Sequence, residues 1–185
     1  MLTALLMSLL VAQAGDTTAE SLAEGYPLPC TYWSARDLET VEHCAAQTPD
    51  GYIIAPPILA DLAYTDDLAT ITFPGHQWFY RHRNGRMVEM LTYDNGPDPF
   101  AGGLARGRIG GDLVYVDRDL TVKIRAPYTF GFPFENGRAD VCTGCVSVPV
   151  YNGEHSYMKG GKWGVIDKTG REIVPLTERP KAPSK

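Results

Sequence analysis

The chain has no apolar run long enough to cross a bilayer, no basic stripe and no catalytic signature, and each absence narrows its function. A membrane-spanning helix takes about 20 apolar residues, whereas the longest such run here covers only 1–14. Lys and Arg number 17 against 22 Asp and Glu, a net charge of −5. Phosphate recognition needs clustered cations, so no nucleic-acid partner is expected. His76 and His82 lie near Asp61, Asp66 and Asp67 in sequence, yet no Gly-x-Ser-x-Gly nucleophile context accompanies them. The glycines at 102–107 are followed by neither a Lys-Ser/Thr pair nor a helical pattern, which removes a phosphate loop. No enzymatic activity and no cofactor are expected.

What is present points to export. Residues 2–11 are uncharged and apolar, and Ala12-Gln13-Ala14 follows as a small-x-small site before Gly15-Asp16. This is the core and cleavage site of a secretory signal peptide over 1–14, although no Lys or Arg precedes the run. The mature chain is then secreted or periplasmic, with no transmembrane segment. Four cysteines, Cys30, Cys44, Cys142 and Cys145, fit an oxidising compartment, where an even count favours disulfides. Pairing Cys30 with Cys44 and Cys142 with Cys145 is the simplest of three connectivities, and cross-links between the two sets stay open.

Turn formers set the fold class. The chain holds 19 Gly and 14 Pro, which suits many short strands rather than long helices. One short helix is expected in the N-terminal segment 15–50: Ser34 reads as an N-cap, and Leu38, Val41 and Ala45 recur at helical spacing. A Cys30–Cys44 bridge would pin that helix as a cap. From residue 51 onward, β-type runs occur at 52–54, 69–73, 78–81, 87–90, 113–116, 122–124, 146–148, 163–166 and 172–174. Asn84-Gly85 suits a hairpin turn with positive φ at both central residues, and Gly170 suits another left-handed turn position. The expected architecture is all-β, a stack of hairpin or meander repeats over 51–176, ending in a polar tail at 177–185.

The repeat itself is visible as self-similarity. Residues 80–93 fall on 115–128 when displaced by 35, and Asp117 matches Asp167 at a spacing of 50. The larger spacing reflects an insertion within 142–161. Phe100 to Ala105 faces Phe134, Gly137 and Ala139 once a one-residue slip is allowed, giving a Phe-x-x-Gly-x-Ala unit. Residues 52–56 with Leu68 and Ala69 read as the end of a more worn copy. Residues 162–175 carry Trp163, Gly164, Asp167, Gly170 and Pro175 in the order Lys-Trp-Gly-Val-Ile-Asp-Lys-Thr-Gly-Arg-Glu-Ile-Val-Pro. That stretch resembles the WG-repeat family, and Phe134 to Ala139 is similar to the second half of its repeat. The earlier copies depart from the pattern, since Phe79 follows Trp78 and Leu113 stands in a Trp position. The resemblance implies a protein-interaction module, here in a bacterial envelope.

Physically, one hairpin plus a strand cannot bury its own apolar face, so neighbours must stack. Trp163 and Trp78 are therefore expected in the core, with Gly164 leaving room for the ring or a neighbouring backbone. Cys142-Thr-Gly-Cys145 has redox spacing but lacks a following helix pattern. A zinc set drawn from the four cysteines with His43 and His155 lacks a second close cysteine pair. The insertion carries Tyr151, Asn152, His155, Tyr157 and Met158, an aromatic–polar mixture suited to a contact loop. The expected partner is another protein of unknown identity. A small thiol–disulfide factor and a glycan-binding module, the latter suggested by ten Tyr and three Trp, are the alternatives.

Overall fold

A computed structural model describes residues 19–49, 51–150 and 155–178; the expected signal peptide at 1–14 lies outside them, as do Tyr151 and Asn152. The protein is all-β with antiparallel sheets and a short helix near the N-terminus, α1 (Ala19–Gly25). Strands β1 (Leu28–Trp33) and β2 (Leu38–Thr48) form a hairpin, β3 (Gly51–Ile54) adds to β2, and α2 (Pro56–Asp61) follows. The segment from Ser34 to Ala45, expected as a helix, is thus a turn and a strand. Ser34 does cap backbone N–H groups, but those of a hairpin turn: its Oγ accepts from Arg36 and Asp37 at 3.1 and 3.0 Å. The same hydroxyl chemistry serves both turns and helix starts, and cross-strand pairing with β1 decided between them. The disulfide therefore ties two strands together, not a helix to a strand.

Three equivalent units follow, at 64–90, 100–126 and 134–178. Each opens with an aromatic residue, a tight two-residue turn and an alanine. The turns are Asp66-Asp67, Gly102-Gly103 and Asn136-Gly137, all with positive φ between 49° and 86°. That double left-handed turn matches strand twist and selects Gly, Asn and Asp. Because each turn has two residues, Phe100 to Ala105 and Phe134 to Ala139 superpose with no slip.

Each unit then runs through three antiparallel strands: β4 (Leu68–Phe73), β5 (Gln77–His82) and β6 (Met87–Met90) in the first. After the two-residue strands β7 (Thr92–Tyr93) and β8 (Gly96–Pro97), the second unit has β9 (Ala105–Ile109), β10 (Asp112–Val116) and β11 (Val122–Ala126). Past β12 (Phe130–Gly131), the third has β13 (Arg138–Thr143), then the inserted β14 (Val146–Val150) and β15 (His155–Lys159), then β16 (Lys162–Asp167) and β17 (Glu172–Glu178). All nine β-type runs read from sequence lie in strands.

The second hairpin of every unit closes on three residues, at 83–85, 118–120 and 168–170. In each, a type I turn bond is followed by a longer bond across the loop. Only the third loop residue is left-handed, Gly85 at 99°, Leu120 at 55° and Gly170 at 84°. The Asn84-Gly85 turn is therefore not of the double positive-φ kind, because the strand register leaves three loop residues instead of two. The residue before each loop caps it: Asp117 Oδ1 accepts from Thr121 N–H at 2.8 Å, Asp167 Oδ1 from Thr169 N–H at 2.9 Å, and His82 Nδ1 from Asn84 N–H at 2.9 Å.

Burial shows why the units need one another. Strands β11-β10-β9-β6-β5-β4-β1-β2-β3 form one sheet and β12-β13-β16-β17 another. The N-terminal hairpin, α2 and β4 enclose a core around Tyr32, Ile58, Ile71 and Phe73, bound together by the buried Cys30 and Cys44. Val88 and Met90 of unit 1 pack with Val114 and Val116 of unit 2. Leu113 and Tyr115, alternating with those valines on β10, pack with Phe134, Val141 and Ile166 of unit 3. Unit 2 is thus buried on both faces, which its continuous apolar run at 113–116 requires. Beyond β16, β17 continues through Thr177 and Glu178, which pair with Trp163 and Lys162; the expected polar tail is strand over those two residues.

Candidate functional site

The third unit differs from the others by its insertion. Strands β14 and β15 pair with each other, Val146 with Lys159 through Val150 with His155, and join no other sheet. The hairpin occupies the place of the two-glycine turn Gly110-Gly111 in unit 2. At its neck Cys142 and Cys145 are bridged, with Cα atoms 6.1 Å apart; Cys30 and Cys44 are bridged at 5.6 Å. The simplest connectivity is the one observed, and all four cysteines are buried. None is a free thiol, and among the described residues no group of three His, Cys, Asp or Glu is placed to hold a metal.

Trp163 is a core residue, only 6% exposed, and its indole N–H donates to Gly160 O at 2.8 Å. It packs with the Cys142–Cys145 bridge, Met158 and Phe130. Trp78 is half-buried. Gly164 is required by the neighbouring backbone: a Cβ there would stand 2.7 Å from Val174 O. The register of β16 with β17 shifts at that glycine, and Pro175 sits in the irregular stretch of an edge strand, where its missing N–H costs no ladder bond. Asp167, Gly170, Gly137, Phe134 and Ala139 likewise serve turns and packing.

The exposed aromatics are the ones that remain. Phe132 is 42% exposed and stacks on Trp163 at 6.0 Å, with Phe130 edge-on at 5.1 Å. Tyr157 of the insertion is 48% exposed, Tyr93 on β7 is 55%, and Val146 is 59%. Phe132, Tyr157 and Tyr93, with Met158, Arg108, Thr92 and Ser147, line a cleft of about 840 Å³. Met158 is half-buried and His155 exposed, so the insertion brings Tyr157 and Met158 to the cleft, while Tyr151 and Asn152 fall outside the described residues.

Beneath the cleft lies a buried ion pair. Asp98 is fully buried, and its Oδ2 accepts from the Arg106 backbone N–H at 2.7 Å and from Nε–H at 3.0 Å, while Oδ1 takes Nη2. Arg106 Nη1 donates onward to Gly131 O at 3.0 Å, and its guanidinium sits 5.7 Å from the Phe130 ring. Tyr115 hydroxyl donates to Phe132 O at 2.9 Å, and burial raises its phenol above the ordinary value. These bonds hold β12, and with it Phe132, against unit 2. Gly131 admits the arrangement, since a Cβ there would collide with the Tyr115 hydroxyl.

Sequence reading did not single out Phe132, Tyr93, Asp98 or Arg106. The alternation Phe130-Gly-Phe132-Pro-Phe134 was the available signal for an aromatic exposed between two packed ones. His76 and His82 are not brought together with a nucleophile: His76 sits on the β4–β5 turn, and His82 caps its loop with Nε2 3.5 Å from Asp119. Asp61 instead accepts from the Tyr32 hydroxyl at 3.0 Å, and burial together with that bond raises the phenol to about 12. No described helix is long and apolar enough to cross a membrane. Compared with known proteins, the chain matches no protein family, no curated protein and no solved structure.

Proposed function

We propose that the chain is an exported, WG-type repeat module that binds a partner protein through an aromatic cleft beside its third unit. The carrying observation is that Tyr93, Phe132 and Tyr157, all about half exposed, surround one cleft at that unit. Exposed aromatics clustered around a cleft mark interaction sites on otherwise closed cores. Two disulfides support an oxidising compartment. The family reading rests on residues 162–175 and on three matching hairpin loops.

The redox alternative is disfavoured because Cys142 and Cys145 are 0% and 2% exposed, whereas exchange needs an accessible thiolate. A glycan ligand would occupy the same aromatic cleft and is separated by experiment. Capture from cell-envelope extracts should retain one discrete protein on the wild-type chain and lose most of it with Phe132→Ser or Tyr157→Ser. Capture that survives both substitutions, or glycan-array binding that competes with it, contradicts the proposal.

A further inference from the structure

We propose that the outer face of β1, β4 and β5 binds an uncharged polysaccharide, at a site separate from the aromatic cleft. The inference goes beyond the protein-binding reading and uses two tryptophans which that reading does not employ.

Strand alternation makes the face. Tyr32, Ile71 and Phe79 are buried in the N-terminal core. Their neighbours Thr31, Trp33, Thr70, Thr72, Trp78 and Tyr80 therefore lie on the other side of the sheet. Strand register places them in rows. Thr40 pairs with Thr31, Thr31 with Thr72 and Thr72 with Trp78, while Thr70 pairs with Tyr80 on the same side. Toward β6 the rows run into Val88 and Met90, which are buried against unit 2. Toward β1 and β2 the face meets solvent. Trp33 is 54% exposed, against 6% for the core residue Trp163, and Thr40 is exposed as well.

The face carries a hollow. Trp33, Thr70 and Tyr80 line a space of about 480 Å³ together with Thr65, Asp66 and Arg118. Its walls are held from behind: Trp33 O accepts from Ala63 N–H at 2.7 Å, and Tyr80 stacks on Phe100 at 5.6 Å. Among the described residues, the hydroxyls of Thr65 and Thr70 and the Trp33 indole N–H have no hydrogen-bond partner.

These groups match a sugar. A pyranose ring offers a face of C–H bonds and a rim of hydroxyls. An exposed indole takes the first against its electron-rich π face, and a threonine hydroxyl both donates to and accepts from the second. Charge selects an uncharged ligand. The rows hold no ionised side chain, Asp66 and Arg118 neutralise each other at 3.5 Å beside the hollow, and the net charge of −5 repels a polyanion. Protein-binding hot spots favour Trp, Tyr and Arg but are poor in Thr, so a threonine-lined face fits a polyol better than a second protein.

The test is calorimetric titration of the full chain with neutral hexasaccharides of glucose, mannose, galactose and N-acetylglucosamine, with a hexagalacturonate as the anionic control. At least one neutral sugar should bind saturably and the anionic one should not. Trp33→Ala, at an exposed position, should weaken binding about tenfold or more, and Thr70→Val should weaken it while retaining shape, with melting temperatures confirming that both variants fold. Phe132→Ser should leave sugar binding unchanged, and saturating sugar should leave protein capture from extracts unchanged. No binding by any neutral sugar up to millimolar concentration, indifference to Trp33→Ala, or loss of sugar binding with Phe132→Ser would overturn the assignment.

Discussion

Leu120 has φ of 55° where the other two units place glycine, and it is only 3% exposed. A non-glycine residue there is strained by roughly 1–2 kcal/mol, and burial of the side chain between units 1 and 2 outweighs that. Gly164 is the opposite case, fixed by backbone and not by conformation. Gly164→Ala should destabilise the chain by roughly 1–3 kcal/mol in chemical denaturation, through forced separation of β16 and β17. Asp117 and Asp167 carry the pH dependence. Partial burial alone would raise Asp117, but the Lys123 ammonium and the Thr121 N–H outweigh it and hold the carboxyl below its ordinary value. At Asp167 the Thr169 hydroxyl, then backbone N–H groups and Arg171, do the same. A lowered folded-state pKa stabilises above the ordinary carboxylate range and is lost as pH falls through it. Melting temperature should therefore drop between about pH 5 and pH 3, and less steeply in an Asp117→Asn, Asp167→Asn variant.

At the scale of elements, the strands of the three units were legible because each is a short β-branched or aromatic run between turn residues. The two-residue and three-residue loops were legible in position but not in type, since φ depends on the register of the flanking strands. The N-terminal segment was misread: Leu38, Val41 and Ala45 have helical spacing, yet pairing with β1, β1's pairing with β4 and the Cys30–Cys44 bridge settle it as strand. Such long-range partners leave no local trace. β9 and β13 were missed because Gly107 and Asp140 interrupt their apolar pattern, Gly107 because a Cβ would meet Glu89 O at 2.6 Å. The insertion pairs only with itself. Replacing 146–159 by a short glycine turn should leave stability within about 1 kcal/mol of wild type, since a surface loop's closure entropy changes slowly with length. A larger loss would mean that Met158 packing on Trp163 is part of the fold's foundation.

For the whole molecule, stacking is the organising fact: each of the second and third units completes the core of the one before it. The cleft was only partly legible. Tyr157 and Met158 were read from the insertion, but Phe132 and Tyr93 reach the cleft from segments between units, and tertiary bonds set their exposure. The Asp98–Arg106 pair, tied to Gly131, joins unit 2 to β12. Asp98→Ala strands a buried guanidinium and should cost about 3–5 kcal/mol in denaturant unfolding, with loss of partner capture following from the freed Phe132.

The central claim is that the aromatic cleft beside unit 3, and not the N-terminal end of the stack, meets the partner. The direct measurement is photo-cross-linking in cell-envelope extracts, with benzoylphenylalanine placed at Phe132 or at Ile53, which is 55% exposed on β3. The probe at Phe132 should yield one discrete covalent adduct and the probe at Ile53 none. An adduct at Ile53 alone, the same adducts at both sites, or none at Phe132 would contradict the account.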